Sequence, residues 1–128
     1  MLLQESAKLL LRIVLGALVL VHGIHKIKYG IDPILSMLSA TSFPQFLAYG
    51  VYVGEVIAPI FVLLGFYAKT AAGVIAFNML MAIFLAYGPH ALSLNAHGGL
   101  VSEQALVYLM ISIVIMLLGS GKFAINNR

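Results

Sequence analysis

Residues 7–27 read AKLLLRIVLGALVLVHGIHKI, an apolar run that carries Lys8 and Arg12 near its start and ends in histidine and lysine. A helix needs about 20 predominantly apolar residues to cross about 30 Å of hydrocarbon, at about 1.5 Å per residue. The run has this length, and no small-residue cleavage site follows it closely. It therefore predicts an uncleaved first transmembrane helix.

Three further apolar runs follow the first, at residues 47–66, 70–88 and 104–119. Lipid offers no hydrogen bonds to an open backbone, so each run is expected to be helical. The predicted fold class is therefore all-α, a four-helix transmembrane bundle that forms a single integral membrane domain over residues 1–128. Its helices are expected at about 7–27, 47–66, 70–88 and 104–119.

The link between the first two helices contains a helix-start signal. Asp32 is a good N-cap and Pro33 a good first helical residue. The residues that follow are amphipathic until Pro44. We expect a short amphipathic segment here, lying at the membrane interface.

The composition excludes several classes of protein. Of the 128 residues, 62% are hydrophobic and 9% are charged, and mean hydropathy is +1.09. Soluble domains are about 45–50% apolar and about 25% charged, so a soluble globular domain and a nucleic-acid-binding domain are both excluded. Cysteine is absent, which excludes disulfides and thiolate metal sites. The expected solvent is the lipid bilayer.

The basic residues predict the orientation. Lys26 and Lys28 would lie together on one side of the membrane. Five others would lie on the opposite side: Lys8, Arg12, Lys69, Lys122 and Arg128. The positive-inside rule then places both termini in the cytoplasm and the first link outside.

Glu55 is the candidate site residue with the strongest physical argument. It lies about eight residues into the second predicted helix, where an ionisable side chain costs at least about 2.5 kcal/mol and marks a functional site by default. Tyr52 and Pro59 share its helix face, and Pro59 has no N–H for the Glu55 carbonyl, so a kink is expected. Glu55 either clamps two helices together or handles a proton or ligand directly.

The first helix ends with three polar residues on one face. His22, His25 and Lys26 are spaced at i, i+3 and i+4. Imidazoles near a buried carboxylate can relay protons, because histidine titrates near neutral pH. The alternatives are half of a metal site, for which the spacing alone is insufficient, and contact with lipid headgroups. We expect no metal.

Two later polar residues extend this candidate site. Asn78 lies near the middle of the third helix, at the predicted depth of Glu55, where it either packs or lines a polar pocket. His90 follows the third helix on the side of His22 and His25. A small cavity open to the outer side is therefore predicted among the first three helices.

Arg12 lies only about five residues inside the first helix. We expect its side chain to snorkel to the cytoplasmic headgroups. The alternative is a partner inside the bundle.

The sequence resembles the DoxX family of small four-helix bacterial membrane proteins. The resemblance is carried, in order, by LLRIVLGALVLVHGIHKI, GEVIAPIFVLLGFYAKTAA, FNMLMAIFLAYGPH and GSGKFAINN. It extends over nearly the whole chain, and its matching positions are His22, Lys26, Glu55, Lys69, Asn78 and His90. It implies a multi-pass protein of the bacterial inner membrane.

The family takes its name from the membrane part of a thiosulfate:quinone oxidoreductase, and other members resemble subunits that partner soluble redox or detoxification proteins. The resemblance implies a membrane subunit of a quinone-linked redox system, with quinone as its cofactor. Glu55 and His22 would handle protons, while His25, Lys26, Tyr52, Asn78 and His90 would bind the ligand. Electrons would come from a partner redox protein, and a homo-oligomer is also expected. Whether catalysis occurs on this chain stays open.

Two other functions compete with this interpretation. The first is a non-catalytic membrane scaffold for a soluble redox or detoxification protein, in which polar residues only fix helix packing. The second is a small-molecule transporter, which no inverted repeat or pair of broken helices favours.

Overall fold

The computed structural model describes residues 2–39, 44–86, 93–94, 98–100 and 102–126. Every regular element within these residues is helical, and their single β-bridge, between Leu94 and Leu100, is isolated. The prediction of an all-α chain is confirmed.

The elements follow the apolar runs. In chain order they are α1 (Leu2–Tyr29), α2 (Asp32–Ser39), a 3-10 turn (Gln45–Tyr49), α3 (Gly50–Tyr52), a π-helical turn (Val53–Ile57), α4 (Ala58–Leu64), α5 (Ala68–Ala86) and α6 (Glu103–Leu118). Residues 45–64 form one continuous helical rod, because the joints at Tyr52 and Ala58 keep right-handed helical angles. Helix α2 begins at Asp32, where the sequence predicts a helix start.

The long segments pack side by side around one core. Helix α1 contacts α4 and α6, and α5 contacts α4 and α6. The central side chains of this core are Leu15, Val19, Val62, Ala72, Ile75 and Ile115, all fully or almost fully buried. Helix α5 contributes four alanines to the core, and small residues let helices approach closely in lipid.

The π-helical turn lies immediately before Pro59. The Ala58 N–H donates to the Val53 carbonyl, five residues back, which is the π-helical pattern. Pro59 cannot donate to the Glu55 carbonyl. The backbone lacks a hydrogen bond from residue 59 to the Glu55 carbonyl, and it forms a wider, π-helical turn at this point.

Gly65 ends α4 and starts the turn to α5. Its φ of 72° is left-handed, and its N–H donates to the Val62 carbonyl at 3.1 Å. The N–H of Phe66 donates to the Phe61 carbonyl at 3.0 Å, which completes a Schellman-type helix end. A Cβ at Gly65 would lie 2.4 Å from that of Ala124, so a side chain is excluded by space as well as by backbone angle.

Residues 119–126, here called the return segment, pack back across this turn. The N–H groups of Ile125 and Asn126 donate to the carbonyls of Leu64 and Gly65, both at 3.2 Å. The Tyr67 N–H donates to Asn126 Oδ1 at 3.0 Å. Residues far apart in the sequence thus form one compact end of the molecule.

Arg12 lies beneath the return segment, and its predicted snorkelling is wrong. The side chain is 1% exposed. Its guanidinium donates to four backbone carbonyls: Nε to Val62 at 3.0 Å, Nη2 to Leu63 at 3.0 Å, and Nη1 to Ser120 at 3.0 Å and to Phe123 at 2.7 Å. The carbonyls of Val62 and Leu63 belong to the last turn of α4, where the regular helical donors run out. Arg12 satisfies Leu63 and shares Val62 with the Gly65 N–H, so its partners are inside the protein, as the alternative prediction had it.

The outer surface is also strongly apolar. Large exposed apolar side chains lie on every long segment and include Leu3, Leu10, Val21, Phe77, Leu80, Phe84, Met110 and Leu117. Within the described residues, Leu2–Tyr29 and Ala68–Leu85 are long and apolar enough to span a membrane, while Val53–Leu64 and Glu103–Leu118 are shorter apolar helices.

Candidate functional site

Glu55 forms an ion pair with Lys26 across the contact between α1 and the π-helical turn. The Lys26 ammonium donates to Glu55 Oε2. The Glu55 side chain is 5% exposed and that of Lys26 is 29% exposed, so the pair joins a buried anion to a cation near the surface. Glu55 is therefore neither an isolated acid nor open to lipid.

Gly23 brings the two backbones together at this pair. A Cβ on Gly23 would lie 2.0 Å from the Glu55 carbonyl oxygen, closer than any real contact. The backbones can meet only because residue 23 has no side chain. Lys26 lies one turn further along α1 and can therefore reach across to the carboxylate.

Asn78 lies on the other side of the π-helical turn. A Cβ on Gly54 would lie 2.7 Å from Asn78 Cβ and Cγ, so the Asn78 side chain packs directly on the Gly54 backbone. Helix α5 thus brings an amide next to the residue that precedes Glu55. The π-helical turn is held between α1 and α5, and π-helical turns are frequent at functional sites.

His22 belongs to a second polar group, which it forms with α6. The Gln104 amide nitrogen lies 3.2 Å from His22 Nε2 and donates to Tyr108 Oη at 3.3 Å. The His22 and Tyr108 rings meet edge to face, with centroids 5.8 Å apart. Ser112 Oγ donates to the Tyr108 carbonyl at 2.7 Å and continues the polar line along α6.

The remaining predicted site residues lie elsewhere. His25 is exposed, and its ring lies 4.5 Å from that of Tyr29. Tyr52 packs against a small cluster formed by Ile31, Leu38 and Ala48. His90 lies outside the described residues. Of the predicted residues, Lys26, Glu55 and Asn78 meet at the π-helical turn, and His22 lies one helical turn from Lys26 on α1.

Gln104 is the member of this polar group that the sequence did not single out. It lies in the first turn of the apolar helix α6, where a polar residue is typical of the end of a membrane-spanning segment. Its spacing of four from Tyr108 puts the two on one face, and that is the only signal in the sequence. The partner on α1 leaves no sequence signal.

Within the part of the chain that the structure describes, no group of three histidine, aspartate or glutamate side chains is placed to hold a metal ion. His22 and His25 contact different partners, Tyr108 and Tyr29.

A family comparison decides the identity. A sequence model of the DoxX family matches residues 7–88. The chain belongs to the DoxX family. This DoxX match confirms the resemblance stated from the sequence and includes Lys26, Glu55 and Asn78. Gln104, Tyr108 and the GSGKF of the return segment lie outside it.

DoxX proteins are generally membrane proteins. The family and the two long apolar helices together support a membrane location. Comparisons with curated proteins and with solved structures gave no match.

Proposed function

We propose that this chain is the membrane-spanning subunit of a quinone-linked redox system. It would form a four-helix transmembrane bundle of the bacterial inner membrane, with both termini in the cytoplasm. The observation that carries the proposal is the buried Glu55 carboxylate, paired with the partly exposed Lys26 at a π-helical turn of a protein whose outer surface is apolar. An ionisable side chain within a membrane-spanning segment marks a functional site by default.

The distribution of basic residues supports the orientation. Lys8, Arg12 and Lys122 lie at the end of the molecule where the return segment packs, and Lys69 follows the turn at the same end. Lys26 and Lys28 lie at the other end of α1. Cytoplasmic loops carry the excess of lysine and arginine, so the Arg12 end faces the cytoplasm in this proposal.

A quinone suits the chemistry of the Glu55 end. Reduction of a quinone to a quinol takes two electrons and two protons, and the electrons would come from a partner redox protein. Lys26 can donate a hydrogen bond to a quinone oxygen, and the Glu55 carboxylate can take up a proton and pass it on to the quinone twice in succession, once for each electron. His22, one turn away, would exchange that proton with the outer side.

An apolar groove on α6 supports a ligand that comes from the lipid. The groove has a volume of about 320 Å³ and is lined by Leu100, Glu103, Leu106, Val107, Met110 and Ile111. Gln104, the partner of His22, lies next to Glu103 at the same end of α6. A quinone has a polar head and a long apolar tail, and this groove could hold the tail while the head turns toward His22.

The test is saturable binding of a short-tailed quinone to the purified protein, followed by thermal shift. Wild type should bind, and Glu55→Gln should weaken binding at least about tenfold, because the proton-bearing partner of the quinone oxygen has changed. Glu5→Gln is the matched control, since Glu5 is an acid at the opposite end of α1. Absence of binding in wild type, or equal binding in Glu55→Gln, contradicts the proposal.

A non-catalytic scaffold is the second candidate. The Glu55 carboxylate already has a partner, and Gly23 and Gly54 pack tightly around it, as in a helix clamp. A scaffold predicts that Glu55→Gln lowers thermal stability while the partner redox protein stays bound and active. Co-purification of that partner with no quinone present favours the scaffold.

A further inference from the structure

The end of the molecule opposite Glu55 contains a second, polar cavity. It has a volume of about 370 Å³ and is lined by Glu5, Lys8, Gly121, Lys122, Ala124 and Asn126. The first turns of α1 form one wall and the return segment forms the other. Its volume lies in the range of about 300–1,000 Å³ that is usual for small-ligand sites.

The charge of this cavity is positive. Lys8 and Lys122 supply two ammonium groups and Glu5 one carboxylate, which leaves one net positive charge. The Glu5 carboxylate already has partners within the protein: it accepts a hydrogen bond from the Lys122 backbone N–H at 2.5 Å and lies 3.5 Å from the Lys8 ammonium. Arg12, buried under the same segment and bound only to carbonyls, adds a second net positive charge.

The cavity is built by the backbone rather than by mobile side chains alone. Arg12 donates hydrogen bonds to the carbonyls of Ser120 and Phe123, which lie on either side of Lys122 in the sequence. Gly121 has a φ of 83°, and a Cβ there would lie 3.0 Å from Glu5 Oε2 and 3.1 Å from Lys8 Cβ. The return segment can approach α1 this closely only with glycine at position 121.

The cavity lies at the level of lipid headgroups when the chain spans a membrane. Helix α1 has 28 residues, about 42 Å at 1.5 Å per residue, whereas the hydrocarbon layer is about 30 Å thick. A helix centred on that layer therefore places Glu5 at the edge of the headgroups, and Lys8, one turn deeper, reaches them by extending its side chain. Leu10 and Ile13, one to two turns further along α1, are 61% and 45% exposed and offer an apolar path for acyl chains.

We propose that this cavity binds the phosphate headgroup of an acidic phospholipid, with Lys8 and Lys122 as its cationic ligands. The inference rests on the membrane placement in the proposed function and is independent of quinone. The occupant follows from charge complementarity and from position, since basic residues at the cytoplasmic surface attract anionic lipids. The headgroup would also fix the orientation of the protein in the bilayer.

The experiment is native mass spectrometry of the purified protein after exposure to phosphatidylglycerol or to phosphatidylcholine with the same acyl chains. Wild type should retain phosphatidylglycerol in preference to phosphatidylcholine. The variant Lys8→Gln/Lys122→Gln should lose about fivefold in this preference for each lysine removed. Lys28→Gln, which removes an exposed lysine at the other end of α1, should behave as wild type.

Two further arms keep the test decisive. Lys8→Arg/Lys122→Arg preserves the charge and should retain the lipid, even if the glutamine variant folds poorly. Inorganic phosphate, added at millimolar concentration, should leave bound phosphatidylglycerol in place; its complete displacement would assign the cavity to free phosphate and overturn the lipid proposal. Equal lipid retention by wild type and a folded glutamine variant also overturns it. Quinone binding should be unchanged in both lysine variants, so failure here is distinct from failure of the proposed function.

Discussion

Arg12 and Glu55 are the two charged residues of α1 and the 45–64 rod that lie almost fully buried, and the protein satisfies them differently. Arg12 donates only to backbone carbonyls, at 2.7–3.0 Å, and these come from α4 and from the return segment. Glu55 instead receives one side chain of opposite charge, Lys26. The partners of Arg12 are neutral dipoles, whereas the partner of Glu55 carries a full charge.

The two ends therefore suit different roles. At the Arg12 end a permanent charge fixes the course of the chain, because guanidinium stays protonated in proteins. At the Glu55 end the charge is balanced by a partner that is 29% exposed. In the proposed function Arg12 has an architectural role and Glu55 a chemical one, and four substitutions probe that division.

Arg12→Met should have the largest effect. It removes the guanidinium donor from four backbone carbonyls, of which only that of Val62 keeps another donor, the Gly65 N–H. Each buried unsatisfied group costs about 1–3 kcal/mol, so the free energy of unfolding should fall by about 4 kcal/mol or more. Thermal unfolding in detergent measures the loss, with Lys8→Met as the control. A loss under about 1 kcal/mol would mean that water replaces the guanidinium.

Lys26→Met should come next. Removing one partner of a fully buried ion pair costs about 3–5 kcal/mol, and partial exposure of Lys26 puts the expected loss near the lower limit, about 3 kcal/mol. The double variant Lys26→Met/Glu55→Leu should recover most of this loss, since two apolar groups replace the pair. Chemical unfolding of all four members of the cycle measures the coupling; additive losses would show that the pair contributes nothing.

Gly23→Ala should lower the free energy of unfolding by about 2 kcal/mol. Its Cβ would overlap the Glu55 carbonyl, and overpacking costs about 1–3 kcal/mol. Gly73→Ala is the matched control on α5, because its Cβ would meet Met116 Cε at an ordinary 3.6 Å. That control should be neutral or gain up to about 1 kcal/mol from helix propensity. Equal unfolding curves for the two variants would contradict close backbone contact at Gly23.

Gln104→Leu should have the smallest effect on stability, about 1 kcal/mol or less, because its two hydrogen bonds are partly exposed. Its informative readout is nitrogen NMR of His22. The Gln104 amide nitrogen lies 3.2 Å from His22 Nε2, and since an amide nitrogen only donates, this contact is a hydrogen bond in the Nδ1–H tautomer of neutral His22. The variant should show a mixture of tautomers, whereas an unchanged spectrum would remove Gln104 from the His22 environment.

The helices and the buried acid were predictable because each rests on local information. Apolar runs of the right length identify the four long segments, and Asp32 with Pro33 identifies the start of α2. Glu55 is conspicuous because an acidic side chain within an apolar run has a high free-energy cost of insertion into lipid. These signals depend only on residues that are close in the sequence.

The partners were not predictable, because they depend on how helices are rotated against each other. The sequence groups Lys26 with Glu55 in one candidate site, but the two are 29 residues apart and no local signal indicates that they form an ion pair. The acceptors of Arg12 are carbonyls, which every residue has, so no residue type marks them. The expectation that Arg12 snorkels was wrong for this reason. Instead of lipid headgroups, its guanidinium binds the backbone carbonyls of residues 120 and 123 in the return segment.

The hydrogen bonds from Arg12 to the return segment also affect how the protein is synthesised. Two of the four acceptors of Arg12 are separated from it by 108 and 111 positions and are therefore translated long after it. The first helix is synthesised with a guanidinium whose partners do not yet exist. Closure of this end of the protein must consequently wait until residues 120–123 have left the ribosome, and a nascent chain stalled before residue 120 would expose an unmatched cation to quality control.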